Sequence, residues 1–375
     1  NNPFKFGEIY TMTESDFSFV SNSEIETFSS HSAKCTKILT IVSSIFSIIL
    51  VASSIALCVI FFFKQKESEF EFIYINDIHL DPLYKVDNSN INGNFSKCRI
   101  SAGSGNYHPF GQYGCDLSNQ TFQSMIRFLP KTVKNPRFIL FGGDASAHSL
   151  NYSREELHDL ISYVVNEISS VFPNVPFLFA LGNNEFIPNY GSNDFSTDTK
   201  DFASISTILS RFMNEDQLQT FQKGGYYYHD FVESKLRLLI VNSIIYNGGR
   251  DDQVDPYDQF QWIYKSAIEA HKQGLRVGIC THISPGLSFV SYVSPNQVWK
   301  ERYLREFNTL INEVEIDFIL SGHIHYDMLI STNETSKQYS LSAPAVSPQH
   351  TNNPSFRVFK YSEGRLLNYI QYYAD

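Results

Sequence analysis

The stretch RFILFGGDASAH, Arg137 to His148, decides how this chain is read. Its first five residues form a short, nearly continuous apolar run, which suits a β-strand covered on both faces. The run breaks into two glycines, then Asp144, and then His148. Five more runs of this kind occur: FEFIYI (70–75), VPFLFAL (175–181), LRLLIVN (236–242), LRVGIC (275–280) and IDFIL (316–320). Between them lie helical patterns. SREELHDLISYVVNEISSVF opens at Ser153 with Glu156 three residues on, the signature of a capping box. Its Leu157, Leu160, Ile161, Val164, Val165 and Ile168 repeat at helical spacing, so one face is buried. PYDQFQWIYKSAIEAHKQG is predicted to begin at Pro256 and stop at Gly274. WKERYLREFNTLINEV reads as a third helix, and FRVFKY (356–361) with LLNYIQYY (366–373) as a closing strand pair. Strands alternating with helices predict an α/β layered sandwich.

Five of the six strands run straight into polar residues. Asp77 and His79 follow the first, Asp144 and His148 the second, and Asn183 the third. His282 follows the fifth, and His323 and His325 the sixth. Ligands of layered α/β folds bind beyond the carboxyl ends of the strands, so these clusters are predicted to meet on one edge. Taken singly, each has an ordinary explanation. Asp-x-His is a common loop, and His158 or His271 on a helix is a solvated face. As a set they offer carboxylates, imidazoles and an amide, the donors that suit Zn, Fe or Mn. With Asp144 shared, they suffice for two ions, the clamp used for in-line attack at phosphorus.

The chain has 375 residues, with an aromatic share of 15% against a charged share of 18%, ample material for a core. A formal charge of -10 excludes a nucleic-acid binder, because nothing neutralises a run of phosphates. A small phosphorylated substrate fits if metal ions supply the local positive charge. Residues 1–37 are polar and read as a disordered tail. Ile38 to Phe63 then lacks any charged side chain, exceeds the roughly 20 residues a membrane span needs, and predicts a transmembrane signal anchor. Lys34 and Lys37 before it balance Lys64 and Lys66 after it, so charge does not orient the span. Residues 70–375 are left as the catalytic domain.

Cys98 and Cys115 bracket a loop rich in Gly, Ser and Asn. A disulfide there would contribute about 3 kcal/mol in an oxidising compartment; two unpaired thiols are the alternative. Sequons at Asn94, Asn119, Asn151 and Asn333 agree with a glycoprotein domain facing a lumen or the outside.

The order Asp-x-His, Gly-Asp, Gly-Asn, His, Gly-His-x-His resembles that of the calcineurin-like metallophosphoesterases. DIHLDPLY, GDASAH, FPNVPFLFALGN, GGYYY, DQFQWI, HISPG, GHIHYD and APAVSPQHTNNPSFRVFKY are similar to the acid sphingomyelinase-like phosphodiesterases within that family, as is the Cys98–Cys115 loop. The resemblance covers Phe70 to Tyr373. It implies the calcineurin-like metallophosphoesterase fold, and a hydrolase holding two divalent ions, Zn by preference. It implies one ion on Asp77, His79, Asp144 and His325, and a second on Asp144, Asn183, His282 and His323. A hydroxide held between the ions would attack phosphorus, and His148 would contact substrate phosphate. The apolar span, the loop cysteines and the sequons predict a single-pass type II protein whose catalytic domain faces a lumen or the exterior, and the likeness implies a lysosome-like lumen.

One position departs from the family. Where its turn reads Gly-Asn-His, this chain reads Gly-Asn-Asn, so the catalytic and substrate-binding place of the histidine falls to Asn184. An amide donates a hydrogen bond but cannot release a proton. The substitution therefore predicts a bias toward leaving groups that need no proton, as in nucleotides and other phosphoanhydrides. Endopolyphosphatases resemble the chain in this Asn and in a single amino-terminal span. No Cys-rich saposin-like segment precedes the domain, and the chain ends at Asp375, short of that group's helical carboxyl-terminal region; both suggest a soluble substrate rather than sphingomyelin. The reading from a different class is a catalytically weak surface or adhesion relative.

Overall fold

A computed structural model of the chain describes residues 22–85, 95–99, 108–191, 195–247, 253–291, 294–297, 299–332 and 338–375. The chain divides between Lys66 and Glu67 into two compact units. Among the described residues the first consists of helix α1 (Asn22–Ser68), whose last two residues fall past that division. Its segment Lys34–Ile60 is apolar for 27 residues, with side chains turned outward, a candidate membrane anchor by length and composition. The helix starts well before the apolar run. Residues 22–37, assigned to the tail from their composition, continue it because adding a turn to an existing helix costs far less than nucleating one. The rest of the tail lies outside the described residues.

The second unit is built on two sheets. In chain order its strands are β1 (Phe70–Ile75), β2 (Ile139–Phe141), β3 (Phe177–Phe179), β4 (Tyr227–Phe231), β5 (Leu236–Val241), β6 (Arg276–Thr281) and β7 (Leu287–Ser291). They continue as β8 (Ser294–Gln297), β9 (Phe318–Ser321), β10 (Met328–Ser331), β11 (Tyr339–Ser342), β12 (Ser355–Ser362) and β13 (Arg365–Tyr373). One sheet has the order β13-β12-β1-β2-β3, the other β10-β11-β9-β6-β5-β4, and β7 pairs with β8 alone. The inner strands run parallel: Ile73 sits beside Ile139, and Ile139 beside Phe177. In the second sheet Leu238 sits beside Gly278, and Gly278 beside Phe318. Every residue of β2, β3 and β5 is buried, as continuous apolar runs require.

Helices α2 (Phe95–Cys98), α3 (Asn119–Thr132), α4 (Arg154–Ser170), α5 (Phe195–Leu209), α6 (Glu215–Gly224), α7 (Gln259–Lys272) and α8 (Glu301–Glu313) complete the layers. Ser153 and Glu156 form the expected capping box on α4. The expected start of α7 at Pro256 is corrected to Gln259, because Tyr257 and Asp258 take left-handed backbone angles. Asp255 caps it instead, accepting from the amides of Phe260 and Gln261.

The aromatic surplus fills the space between the sheets. Phe72 stacks on Phe138 at 4.4 Å between ring centres, and Phe138 on Phe231 of the other sheet at 4.5 Å. Tyr227 of β4 bonds the backbone of Phe179 in β3, its hydroxyl accepting from the amide at 2.7 Å. Such aromatic pairs add about 0.5–1.5 kcal/mol each beyond their buried area. They fix the two sheets so that the ends of β1, β2, β3, β6 and β9 lie together.

Candidate metal centre

Each candidate ligand stands one to four positions beyond a strand end. Asp77 and His79 follow β1, Asp144 follows β2, Asn183 follows β3, His282 follows β6, and His323 and His325 follow β9. The loops that carry them are laced to one another by backbone hydrogen bonds. The amide of Asp77 donates to Gly143, that of His79 to Asp144, and that of Gly322 to His282, each at 2.9–3.0 Å. Ser347 donates to Asp77 at 2.9 Å. Two glycines make the approach possible. Gly143 has φ +98°, and a Cβ there would stand 2.7 Å from the amide nitrogen of Gly182. A Cβ on Gly182 would collide with the Asp144 carboxylate.

The seven residues converge. His79 Nε2 lies 3.1 Å from His325 Nε2 and 3.4 Å from Asp144 Oδ2. His282 Nε2 lies 3.2 Å from the same Asp144 oxygen and 3.1 Å from Asn183 Oδ1. Asp77 Oδ1 is 3.7–3.9 Å from the Nε2 atoms of His79, His282 and His325. Two triads that can hold a cation, Asp77-His79-Asp144 and Asp144-His282-His323, share Asp144. A third, His79-His148-His325, brings in His148. Asp77, His79, Asp144, Asn183, His282 and His325 are all buried.

The donor set fits divalent cations on its own chemistry. His79 Nδ1 donates to the Ser146 carbonyl at 3.0 Å and His282 Nδ1 to the Gly142 carbonyl at 2.8 Å. A carbonyl only accepts, so in the neutral rings the Nε2 lone pairs point inward. Two imidazole nitrogens facing each other at 3.1 Å repel unless a proton or a cation lies between them. His325 Nδ1 finds no hydrogen-bond partner among the described residues. The backbone carries a matching cost. Asp77, His79, Asp144, His323 and His325 all have φ between +43° and +69°, a region costing non-glycine residues of order 1–3 kcal/mol each, and such strain gathers at functional sites.

Electrostatics divides the histidines into two kinds. Burial opposes charge on His79, but Asp77, Asp144 and Asp116 outweigh it and push its pKa up to about 9. Burial is likewise overcome at His282 by Asp144 and Asp77, giving about 10. His323 falls to about 4 through burial and the neighbouring His282, and burial with the nearby His79 keeps His325 neutral as well. Asp144 resists burial through His282, His79 and the Asn184 amide, and stays ionised.

His148 stands beside this cluster, its ring stacked 4.0 Å from that of His79. Asp116 grips it twice: Oδ1 accepts from ring Nδ1 at 2.9 Å and Oδ2 from the backbone amide at 2.7 Å. Cys115, one residue before Asp116, is disulfide-bonded to Cys98. Arg99, one residue after Cys98, donates to the carbonyls of His148 and Ser149 and pairs with Asp81.

The donor end of the Asn184 side chain is turned to Asp144. Its backbone amide donates to Asp144 Oδ1 at 2.8 Å and its side-chain amide to Asp144 Oδ2 at 2.9 Å. Of the candidate sequons, Asn119 and Asn151 are exposed, whereas Asn94 and Asn333 lie outside the described residues. Sequence reasoning missed Asp116, Glu185 and Asn189. Glu185 is wholly buried and accepts from the amides of Gly182, Asp144 and Ala145 at 2.6–2.8 Å. It ties the Gly182 turn to the Asp144 loop, and burial together with Asp144 raises its pKa to about 7. Its signal was its place in the GNNE turn.

With this geometry in hand, the chain was compared with known proteins. The profile of the calcineurin-like phosphoesterase family matches residues 70–327. The human cyclic GMP-AMP phosphodiesterase SMPDL3A is 26% identical over 326 residues, covering 81% of this chain and 70% of that protein. The human acid sphingomyelinase-like phosphodiesterase 3b is 28% identical over 324 residues, covering 79% of this chain and 68% of the other. Among solved structures, a dimetal phosphatase from Danio rerio aligns with a TM-score of 0.47 at 14% identity, over 80% of this chain and 98% of that one.

Proposed function

We propose that this chain, which belongs to the calcineurin-like phosphoesterase family and is a hydrolase of phosphoric esters, is a two-cation phosphodiesterase for small, soluble substrates of nucleotide type. The observation that carries this reading is the shared carboxylate, Asp144, standing between two groups of inward-facing donors. One cation would be held by Asp77, His79, Asp144 and His325, the other by Asp144, Asn183, His282 and His323. Bound there, divalent cations supply Lewis acidity toward phosphoryl oxygens and a means of ionising water near neutral pH.

The protein's own residues do the rest. The carbonyl acceptors on Nδ1 of His79 and His282 hold both neutral rings in one tautomer and aim Nε2 inward. Asp116 accepts a hydrogen bond from Nδ1 of His148, so Nε2 is the ring nitrogen that would meet a substrate phosphate. Asn184 holds Asp144 in place through two hydrogen bonds but has no proton to release. Loss of general-acid help costs typically 10²–10⁴ in rate, and costs most when the leaving group is an alkoxide. A phosphate leaves a phosphoanhydride without that help, which favours nucleoside di- and triphosphates over choline or ceramide esters. Asn184 supports polyphosphate as the second reading on the same ground. The Cys98–Cys115 disulfide supports an oxidising compartment for the domain, with α1 as its membrane anchor and Zn as the cation.

The reading is tested on the full chain in detergent. Chelator followed by dialysis should lower hydrolysis of ATP and of a p-nitrophenyl diester at least about tenfold, and added Zn should restore it. Equal inertness of chelated and restored samples toward diester, ATP and polyphosphate ends the proposal.

Cation uptake should also depend on pH. His79 and His282, at about 9 and about 10, carry protons at neutral pH that the cations must displace. Affinity should therefore rise with pH, by about tenfold to a hundredfold per unit for one or two displaced protons between pH 5.5 and 7.5. Calorimetry in buffers of different ionisation enthalpy reads the protons released, and an affinity that is flat over this range contradicts the assignment of both histidines.

A further inference from the structure

We propose that Asn189 is a positioning residue that passes the fixed hydrogen-bond polarity of Asp144, by way of Asn184, to Asn183, and so turns the Asn183 side-chain oxygen toward the second cation. The proposal rests on the two-cation reading.

A primary amide has an oxygen at one end and an NH2 group at the other, of nearly the same shape, so nothing in its packing decides which end points where. Hydrogen-bond partners must decide. Asp144 is the fixed point, because an ionised carboxylate only accepts. The Asn184 group 2.9 Å from Asp144 Oδ2 is therefore its NH2, and its oxygen lies at the other end. Asn189 donates to that oxygen, Nδ2 to Oδ1, at 2.9 Å. Asn189 then has only its own oxygen to offer, and it accepts from Asn183 Nδ2 at 2.9 Å. Asn183 is left with one orientation, Oδ1 toward His282 Nε2 at 3.1 Å. An oxygen there is a cation ligand; an NH2 there would repel a cation.

Three successive amides thus form a one-way relay from a buried carboxylate to a candidate ligand. The relay explains a further use for Asn at position 184. An amide donates to Asp144 while accepting from Asn189 in a single side chain. Asn189 is itself solvent-exposed at the mouth of the site, and both ends of its side chain are engaged by the relay. Groups of this outer kind change metal affinity by about 10–100-fold when lost.

The test uses full chain stripped of cations, titrated with Co²⁺ alone and followed by its d–d absorption and by calorimetry. Wild type should bind two Co²⁺. Asn189→Leu, similar in shape but without hydrogen bonds, should weaken one of the two about tenfold or more and alter the d–d spectrum of that site. Asn189→Asp keeps the acceptor for Asn183 Nδ2 and should hold both affinities within about threefold of wild type. Melting temperature without cation verifies folding, and Asn189→Ala replaces the Leu variant if that one does not fold. Two unchanged affinities in Asn189→Leu overturn the relay while leaving the two-cation reading intact. Equal weakening in Leu and Asp variants also overturns it, since the residue would then act through shape. A wild type that binds no Co²⁺ removes both the relay and the reading beneath it.

Discussion

Replacing Asp144 with Asn should lower turnover at least about a thousandfold on every phosphate substrate, and reduce bound cations from two to at most one. The two shapes are nearly identical, so the loss is one of charge and polarity. Asp144 Oδ1 and Oδ2 accept two hydrogen bonds from Asn184 while facing His79 and His282 at 3.4 and 3.2 Å. A neutral amide there must point an NH2 group either at the Asn184 donors or into the cation site. Cations at a phosphoryl centre provide several kcal/mol of transition-state charge stabilisation, and each 1.36 kcal/mol is tenfold in rate, which sets the expected size. His282 would also lose the anion that most favours its protonated form, and His79 one of the anions that do. Turnover within tenfold of wild type, with two cations still bound by elemental analysis, would show that Asp144 is not the shared ligand.

The second large effect concerns Asn184→His. The imidazole puts a ring nitrogen close to where the amide nitrogen now stands, able to keep the bond to Asp144, and extends a second, ionisable nitrogen beyond it. General-acid help is worth about 10²–10⁴, so kcat for an alkyl phosphodiester should rise about a hundredfold. Hydrolysis of ATP, whose leaving group needs no proton, should change less than about threefold on the same argument. The ratio of the two rates is the measurement. A gain that is equal on both substrates contradicts the leaving-group account, and a loss on both would show that the amide's hold on Asp144 and Asn189 outweighs any proton it could deliver.

What could be read from the chain before its fold was known follows a physical pattern. β1, β2, β3, β5, β6 and β9 announced themselves because a strand covered on both faces has few polar positions to confuse the count. Asp77, Asp144, Asn183, His282, His323 and His325 were legible for the same reason, since each interrupts or follows such a run. Strand β4 was not read as a strand, because YYHDF is half-buried with mixed polarity. Strands β10 and β11 are short, partly exposed and of mixed polarity, a hairpin at the margin of the sheet with β10 as its edge. Asp116 follows no strand. It reaches His148 because Leu80 pairs with both Leu117 and Ser146, which sequence spacing does not encode. Asn189 was invisible too, because its role depends on the direction of three amides in space.

His148 is held by two residues, Arg99 and Asp116, that each sit next to a half-cystine, Cys98 and Cys115. The cross-link therefore works like the pin of a clasp: with it in place both jaws close on one imidazole, and without it each jaw hangs on a separate length of chain. A polypeptide made where thiols remain reduced would lack that closure around His148, so the redox state of its surroundings reaches this ring as well as the loop.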